Sequence, residues 1–279
     1  MKYPDKVYLN GNIVPSAEAK ISVFDRGFIF GDGIYEVMVQ INGSFFYGEA
    51  HLNRLQEGLQ KINIDFDVSE LPRAISKLLK VTDLTDKDCM LYIQITRGVA
   101  PRQHSFPSDV KPTVMMYAVP KVLPAINQVN AGVLSRKDFR WSRCDIKMTS
   151  LLGNVMLNDE AIEHDCYETI LHRNGVFTEA SHSNVFFVMK GIVYTHPADE
   201  YILNGITRSV VIDLCKLHGI EVRETPVSID EIATIDEAFL TGTSTQIASI
   251  QKIEEHILYT DNKKGPITQQ LQEAFLKLK

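Results

Sequence analysis

Residues 169–196 read TILHRNGVFTEASHSNVFFVMKGIVYTH. Runs rich in Val, Ile, Phe and Thr flank Asn174-Gly175, and further such runs flank Lys190-Gly191. A glycine-containing two-residue turn between β-prone runs is a strong local signal for a hairpin. The same device occurs earlier, in KVYLNGNIV at 6–14 and VMVQINGSFFY at 37–47. CMLYIQITRG at 89–98 alternates like a strand, and TVMMYAV at 113–119 is another. Helices lie between them. Leu52, Leu55, Leu59 and Ile62 fall at helical spacing, and Leu71, Ile75, Leu78 and Leu79 form the apolar face of a helix starting near Ser69. Further helices are expected over Asn154–Asp165, Ile206–His218 and Ile267–Leu278. The pattern predicts an α/β fold of the α+β-like kind, with hairpin-built sheets and flanking helices. It does not read as alternating βαβ units, so a dinucleotide-binding sheet is a weak reading.

VPKVLPAINQ at 119–128 carries Pro120 and Pro124 and few core residues. This is linker chemistry. It divides the chain into an N-terminal α/β domain at 1–120, a linker at 121–127 and a C-terminal domain at 128–279.

Bulk properties exclude several functions. The 279 residues are ample for a real core. Apolar content of 44% and charged content of 23% match a globular chain. A net charge of -6 argues against nucleic acid or an anionic membrane as partner, because both demand a basic face. No apolar run approaches the ~18 residues of a membrane span, and MKYPDKVYLN lacks the apolar core of a secretion signal. Cys89, Cys144, Cys166 and Cys215 are scattered without a C-x-x-C pair, which fits a reducing cytoplasm and neither a disulfide framework nor structural zinc. Asn42-Gly43-Ser44 is then a turn and not a glycosylation site. His164, His172, His196 and His218 show no metal-ligand spacing and read mostly as surface or turn residues. Trp141 reads as packing, and Cys144 and Cys166 as inert buried thiols.

Two segments are suited to an anion. In LNGITRSVVIDLC at 203–215, Gly205 frees the backbone before a helix opened by Ile206 and Thr207, where unpaired N–H groups and the helix dipole favour negative charge. In FLTGTSTQ at 239–246, a strand runs into Thr241, Gly242, Thr243, Ser244 and Thr245, a hydroxyl-rich turn able to form a nest of N–H groups. Each alone is more often an ordinary cap or turn. Neither is a nucleotide loop, and GFIFGDG at 27–33 precedes a strand and not a helix. Arg54, one turn after His51, could close a phosphate cup, although a solvated helix arginine is the commoner case.

RCDIKMTSLLGNV at 143–155 sets Lys147 against small and apolar residues. Either the side chain snorkels to water, or a desolvated neutral amine attacks a carbonyl. A lysine with a phosphate cup but no nucleotide loop suggests a phosphorylated aldehyde, pyridoxal phosphate. That cofactor also needs a carboxylate at its ring nitrogen. Glu179 is a candidate, but spacing alone would admit any of 35 acids.

DRGFIFGDGIYEV, HLNRL, ITRGVAPRQHSFP, RCDIKMTSLLGN, TEASHSNVF, LNGITR and TGTS follow one another in the order and spacing of the fold-type IV pyridoxal-phosphate enzymes. The resemblance covers nearly the whole chain and is strongest to the bacterial D-amino-acid aminotransferases. It implies a two-domain fold whose larger C-terminal domain is barrel-like and anchors the cofactor. It implies Lys147 as the Schiff-base lysine and carrier of the Cα proton, with Glu179 at the pyridine nitrogen. Arg54, Ile206, Thr207 and Thr243 would hold the phosphate, with Gly242 and Ser183 nearby and Leu203 against the ring. Tyr35, Arg102 and His104 resemble the trap for the substrate carboxylate, the last two serving the neighbouring subunit of a homodimer. The implied reaction is transamination of a D-amino acid such as D-alanine with a 2-oxo acid such as 2-oxoglutarate, giving pyruvate and D-glutamate.

Branched-chain and (R)-amine transaminases, aminodeoxychorismate lyases and a non-catalytic cofactor-binding relative remain as alternatives. The Arg-x-His pair of PRQH separates the branches, because two cations one residue apart can face one carboxylate. Two positions depart from the family pattern. His182 interrupts what is often a run of serines, and Gly242 stands where a small hydroxyl residue is common.

Overall fold

The computed structural model describes residues 3–127, 130–260 and 264–279, so residue 128, the expected start of the second domain, lies outside it. Two compact units share the chain. The first takes residues 1–122 together with 146–150, and the second takes 123–145 with 151–279.

The first unit contains β1 (Lys6–Leu9), β2 (Asn12–Pro15), α1 (Arg26–Phe30), β3 (Gly33–Ile41), β4 (Ser44–Phe45), α2 (Gly48–Lys61), α3 (Leu71–Val81), β5 (Cys89–Thr96) and β6 (Thr113–Pro120). Its six strands form one sheet in the order β2-β1-β6-β5-β3-β4, with every neighbouring pair antiparallel. The Asn-Gly turns are of the expected kind, with positive φ at Asn10 and Gly11 and at Asn42 and Gly43. One sheet face carries Ile34, Met38, Leu91, Ile93, Ile95 and Met116, covered by Leu55 and Leu59 of α2 and by Leu71, Ile75, Leu78 and Leu79 of α3. GFIF at 27–30, in the glycine-rich stretch that precedes a strand, is itself helical. Asp25 caps this helix through the Gly27 N–H at 2.8 Å, and Gly31 ends it at φ 66°.

A single cut near residue 120 would leave Lys147 in the second unit. Instead, 146–150 belongs to the first, for a backbone reason. The two residues of β4 cover only the far end of β3, opposite Gln40 and Ile41. The other end is completed by Ile34 bridging Met148, with the Tyr35 N–H donating to Lys147 O and the Thr149 N–H to Gly33 O, both at 3.0 Å. Ile146 and Met148 then join the buried cluster.

The second unit contains β7 (Asn130–Lys137), α4 (Leu152–Glu163), β8 (Glu168–Arg173), β9 (Val176–Ala180), β10 (Asn184–Met189), β11 (Ile192–Thr195), α5 (Ile206–Leu217), β12 (Val222–Glu224), β13 (Glu237–Gly242), β14 (Gln246–Ile253), β15 (His256–Ile257) and α6 (Pro266–Leu276). Its sheet runs β12-β11-β10-β13-β14-β7-β8-β9, with β15 on β14. It curls, so that the end of β9 meets the start of β10 through the Ala180 N–H and Ser183 O at 2.7 Å. Phe177, Phe187, Val185, Leu240 and Ile250 fill the core. The turns at Asn174-Gly175 and Lys190-Gly191 have positive φ at both positions. Hairpins are not the whole account. The β7/β8 and β11/β12 pairs are parallel, each joined by a crossover containing a helix, α4 or α5. Among the described residues no helix is long and apolar enough to cross a membrane.

Candidate active site

In the first unit, alternation along β3 sends Ile34, Glu36 and Met38 into the core and leaves Tyr35 on the opposite face. A carboxylate at an inward position needs partners. α2 supplies two from one face. His51 Nδ1 lies 2.8 Å from Glu36 Oε2, and Arg54 donates through Nε to Oε1 at 2.6 Å and through Nη2 to Oε2 at 3.0 Å. Burial would push the Glu36 carboxyl up, but the Arg54 charge, the bonds from His51 and Arg54 and the Lys147 charge hold it down to about 2. Arg54 is therefore not a solvated helix arginine.

Lys147 is half-buried and not buried as its neighbours suggest, because the extended segment turns Ile146 and Met148 inward and Lys147 the other way. Its Nζ stands 4.2 Å from the Tyr35 ring centroid and has no hydrogen-bond or ion-pair partner among the described residues. Arg102 and His104 are exposed on the loop after β5. Both lie by Phe30, with the Arg102 guanidinium 5.2 Å and the His104 ring 5.8 Å from its centroid. Arg26 holds the loop by donating to Gln103 O at 2.7 Å.

In the second unit, β9 carries Glu179 into a buried polar cluster. Arg140 Nη1 donates to Oε1 at 2.9 Å, while the Leu203 N–H at 3.0 Å and Asn184 Nδ2 at 3.2 Å donate to Oε2. Burial pushes the carboxyl up to about 7, against the downward pull of the Arg140 charge and the Leu203 N–H. Asn184 also donates to Leu203 O at 2.8 Å, so one side chain links Glu179 to the segment that leads into α5.

α5 begins at Ile206 after Gly205, with no side-chain cap, and Thr207 is buried. A Cβ on Gly205 would fall on Asn184 Oδ1. Gly205→Ala is therefore expected to destabilise the unit by about 1–3 kcal/mol, read as a lowered thermal midpoint. The Thr243–Thr245 turn joins β13 to β14. Thr245 Oγ1 lies 3.3 Å from Tyr167 Oη and 3.4 Å from Ser183 Oγ, and Ser183 donates to buried Glu168 at 2.7 Å. The Thr241 hydroxyl is buried without a partner among the described residues. His182 is half exposed at its side chain, with Nδ1 3.4 Å from Glu168 Oε2 and 3.3 Å from Ser183 Oγ.

In the first unit Lys147 stands beside Tyr35, Arg54 is paired with Glu36, and Arg102 and His104 lie together on a loop. The second gathers Glu179, Ser183, Leu203, Gly205, Ile206, Thr207, Gly242 and Thr243. Sequence reasoning missed Glu36, Asp138, Arg140, Glu168 and Asn184. Only Glu36 carries a local signal, an acid at an inward strand position. Two minor expectations change. His196 is buried, with Nδ1 3.0 Å from Pro197 O, and Trp141 is 53% exposed and so contributes little packing. Cys144 and Cys166 are buried thiols, and burial pushes Cys144 up to about 12.

Residues 33–253 match the family described as Amino-transferase class IV. The D-alanine aminotransferase of Staphylococcus haemolyticus is 40% identical over 278 residues, 98% of this chain and 97% of that one. The enzyme of the same name from Bacillus licheniformis is 38% identical over 271 residues, 96% and 95% of the two chains. Among solved structures, the branched-chain amino acid aminotransferase of Escherichia coli superposes with a TM-score of 0.89 at 24% identity, covering 99% of this chain and 94% of that one, a likeness of fold alone. The branched-chain aminotransferase of Thermoproteus uzoniensis with norvaline gives 0.84 at 27% identity, covering 99% and 94%. The chain belongs to the class IV aminotransferases, the fold-type IV group that the order of its motifs resembles.

Proposed function

We propose that this class IV aminotransferase is a D-amino-acid transaminase that moves the amino group of D-alanine to 2-oxoglutarate, with pyridoxal 5′-phosphate as cofactor. The observation that carries the chemistry is Lys147, an amine set by strand pairing beside Tyr35 and left without a polar partner among the described residues. Identity to D-alanine aminotransferases over nearly the full length supports the D-amino acid as donor.

The donor set fits the cofactor. The second unit offers a buried carboxylate at Glu179, a helix start at Ile206 without a side-chain cap and a Thr241 hydroxyl without a partner among the described residues, and the first offers the Lys147 amine. Pyridoxal 5′-phosphate, when bound, supplies an aldehyde for amines and a protonated ring that accepts the electron pair released at the substrate Cα. Lys147 Nζ would hold the aldehyde carbon at rest and take the proton from Cα once substrate is bound. Glu179 would hold the proton on the ring nitrogen, with Leu203 lying against the ring. Ile206, Thr207 and Thr243, with Gly242 and Ser183 beside them, would hold the phosphate, and Arg54 would add a cation. Tyr35, Arg102 and His104 would fix the α-carboxylate and thereby the face of Cα that carries hydrogen. A homodimer in the cytoplasm, with Arg102 and His104 serving the neighbouring subunit, belongs to the same proposal.

The branched-chain, (R)-amine, lyase and non-catalytic readings are not favoured, because the extended identity lies with D-alanine aminotransferases. The test is the visible absorption of the purified protein loaded with pyridoxal phosphate. D-alanine is expected to bleach the band and L-alanine to leave it. Bleaching by the L-isomer alone would overturn the D-specific reading, and no band would overturn Lys147 as the anchor.

A further inference from the structure

Four buried or half-buried charges run through the second unit in one line of contact. Arg173 Nη2 lies 3.2 Å from Asp138 Oδ2. The fully buried Asp138 carboxylate accepts Arg140 Nε at 3.0 Å, Arg140 Nη2 at 3.1 Å and the Arg140 backbone N–H at 3.0 Å. Two edge donors of the guanidinium are thus fixed, and its planar fork then fixes where Nη1 points. It points at Glu179 Oε1, 2.9 Å away, with both side chains only 6% exposed. Asp138 itself does not touch Glu179, and its own charge pushes that carboxyl up, so any help it gives the carboxylate comes through Arg140. Among the roles derived above, none uses Asp138 or Arg140.

We propose that Asp138 is a positioning residue for the transamination, locking Arg140 against Glu179 so that Glu179 meets the cofactor's ring nitrogen as a carboxylate. The inference rests on Glu179 being the partner of that nitrogen. A carboxyl buried this deeply takes up a proton unless a charge faces it, and a neutral acid does not hold a pyridine protonated. The groups around Glu179 leave the task to Arg140. Asn184 and the Leu203 N–H are neutral donors, Cys144 is a thiol that burial keeps protonated, and Arg173 is engaged with Asp138. An arginine free to rotate would also reach solvent. The bidentate hold of Asp138 denies it that freedom.

The test uses the full-length chain and two ligands, pyridoxal 5′-phosphate and its analogue with a C–H in place of the ring nitrogen. Dissociation constants are measured for wild type, Asp138→Asn, Arg140→Met, Glu179→Gln and the Asp138→Asn/Glu179→Gln pair. Asp138→Asn is expected to weaken pyridoxal phosphate about tenfold, the size of effect that outer partners of a site residue commonly have. The carbon analogue should change by less than about twofold, since it presents nothing for Glu179 to hold. Arg140→Met should show the same selectivity, more strongly, and Asp138→Asn should add nothing once Glu179 is glutamine. Equal weakening of both ligands would reduce Asp138 to a fold-holding residue and overturn the proposal, as would no weakening of either. Asp138→Asn, close to the native shape, decides the matter alone if Arg140→Met does not fold. A wild type that does not prefer pyridoxal phosphate over the analogue would instead overturn the assignment of Glu179 itself, and a preference that survives Asp138→Asn would overturn only the role of Asp138.

Discussion

Lys147→Ala is expected to abolish transamination, with a loss on the order of 10³-fold or more, because one amine does two jobs. In the role proposed for it, Lys147 is the nucleophile for the cofactor aldehyde and the base for the Cα proton, and general-base removal alone is commonly worth about 10²–10⁴-fold. The substitution should leave the fold in place. The contacts that hold the segment to β3 are made by backbone atoms of Tyr35, Lys147, Gly33 and Thr149, which alanine keeps. The side chain is half-buried, and its stacking on Tyr35 is worth about 0.5–1 kcal/mol. Thermal unfolding of the variant should thus lie near wild type while single-turnover conversion of D-alanine to pyruvate disappears. Added methylamine should restore part of the proton transfer. Turnover near the wild-type rate would remove Lys147 from the chemistry.

Glu36→Gln should cost about 3–5 kcal/mol of folding stability, the usual consequence of taking one partner from a buried ion pair. Glutamine keeps the shape but leaves the Arg54 guanidinium facing a neutral amide where two charge-assisted bonds stood. The pH dependence carries the same information. The folded carboxyl, at about 2, lies below its ordinary value of 4.5. The folded state therefore binds fewer protons than the unfolded one between those values. The stabilisation is fully present above about pH 4.5 and is lost as pH falls toward 2. Wild type should show an acid limb across that window, and Glu36→Gln should be flatter there in urea melts. An unchanged limb would mean that Glu36 is not paired in the folded state.

The strand hairpins were legible because their turns announce themselves locally. Asn10-Gly11, Asn42-Gly43, Asn174-Gly175 and Lys190-Gly191 all adopt the left-handed conformation that such turns require. The amphipathic helices were legible for the same reason, with Leu71, Ile75, Leu78 and Leu79 all buried. The parallel β7/β8 and β11/β12 pairs were not, since a crossover brings together strands far apart in sequence and leaves no mark at either one. Lys147 and Glu179 stood out only because neighbouring motifs gave them context. Arg140 and Asp138 did not, because a buried ion pair is invisible until the fold makes them neighbours. Glu36 shares its phase of the strand with Ile34 and Met38, and a charge among such apolar inward positions is a usable warning. His182 shows the opposite case. The sequence marks it as a departure, and the structure sets it 3.4 Å from buried Glu168.

The pairing of residues 146–150 with β3 has a consequence for synthesis on the ribosome. When residue 122 has been made, every strand of the first sheet exists, yet the Gly33–Tyr35 edge is still bare and Ile34 lacks Met148 beside it. An open edge of this kind invites pairing with another chain. The edge is sealed only when the lysine-bearing segment emerges, so the step that protects the young sheet from aggregation is the same step that brings in the proposed nucleophile. A chain cut short before residue 146 would lack Lys147 and keep its sticky edge at once.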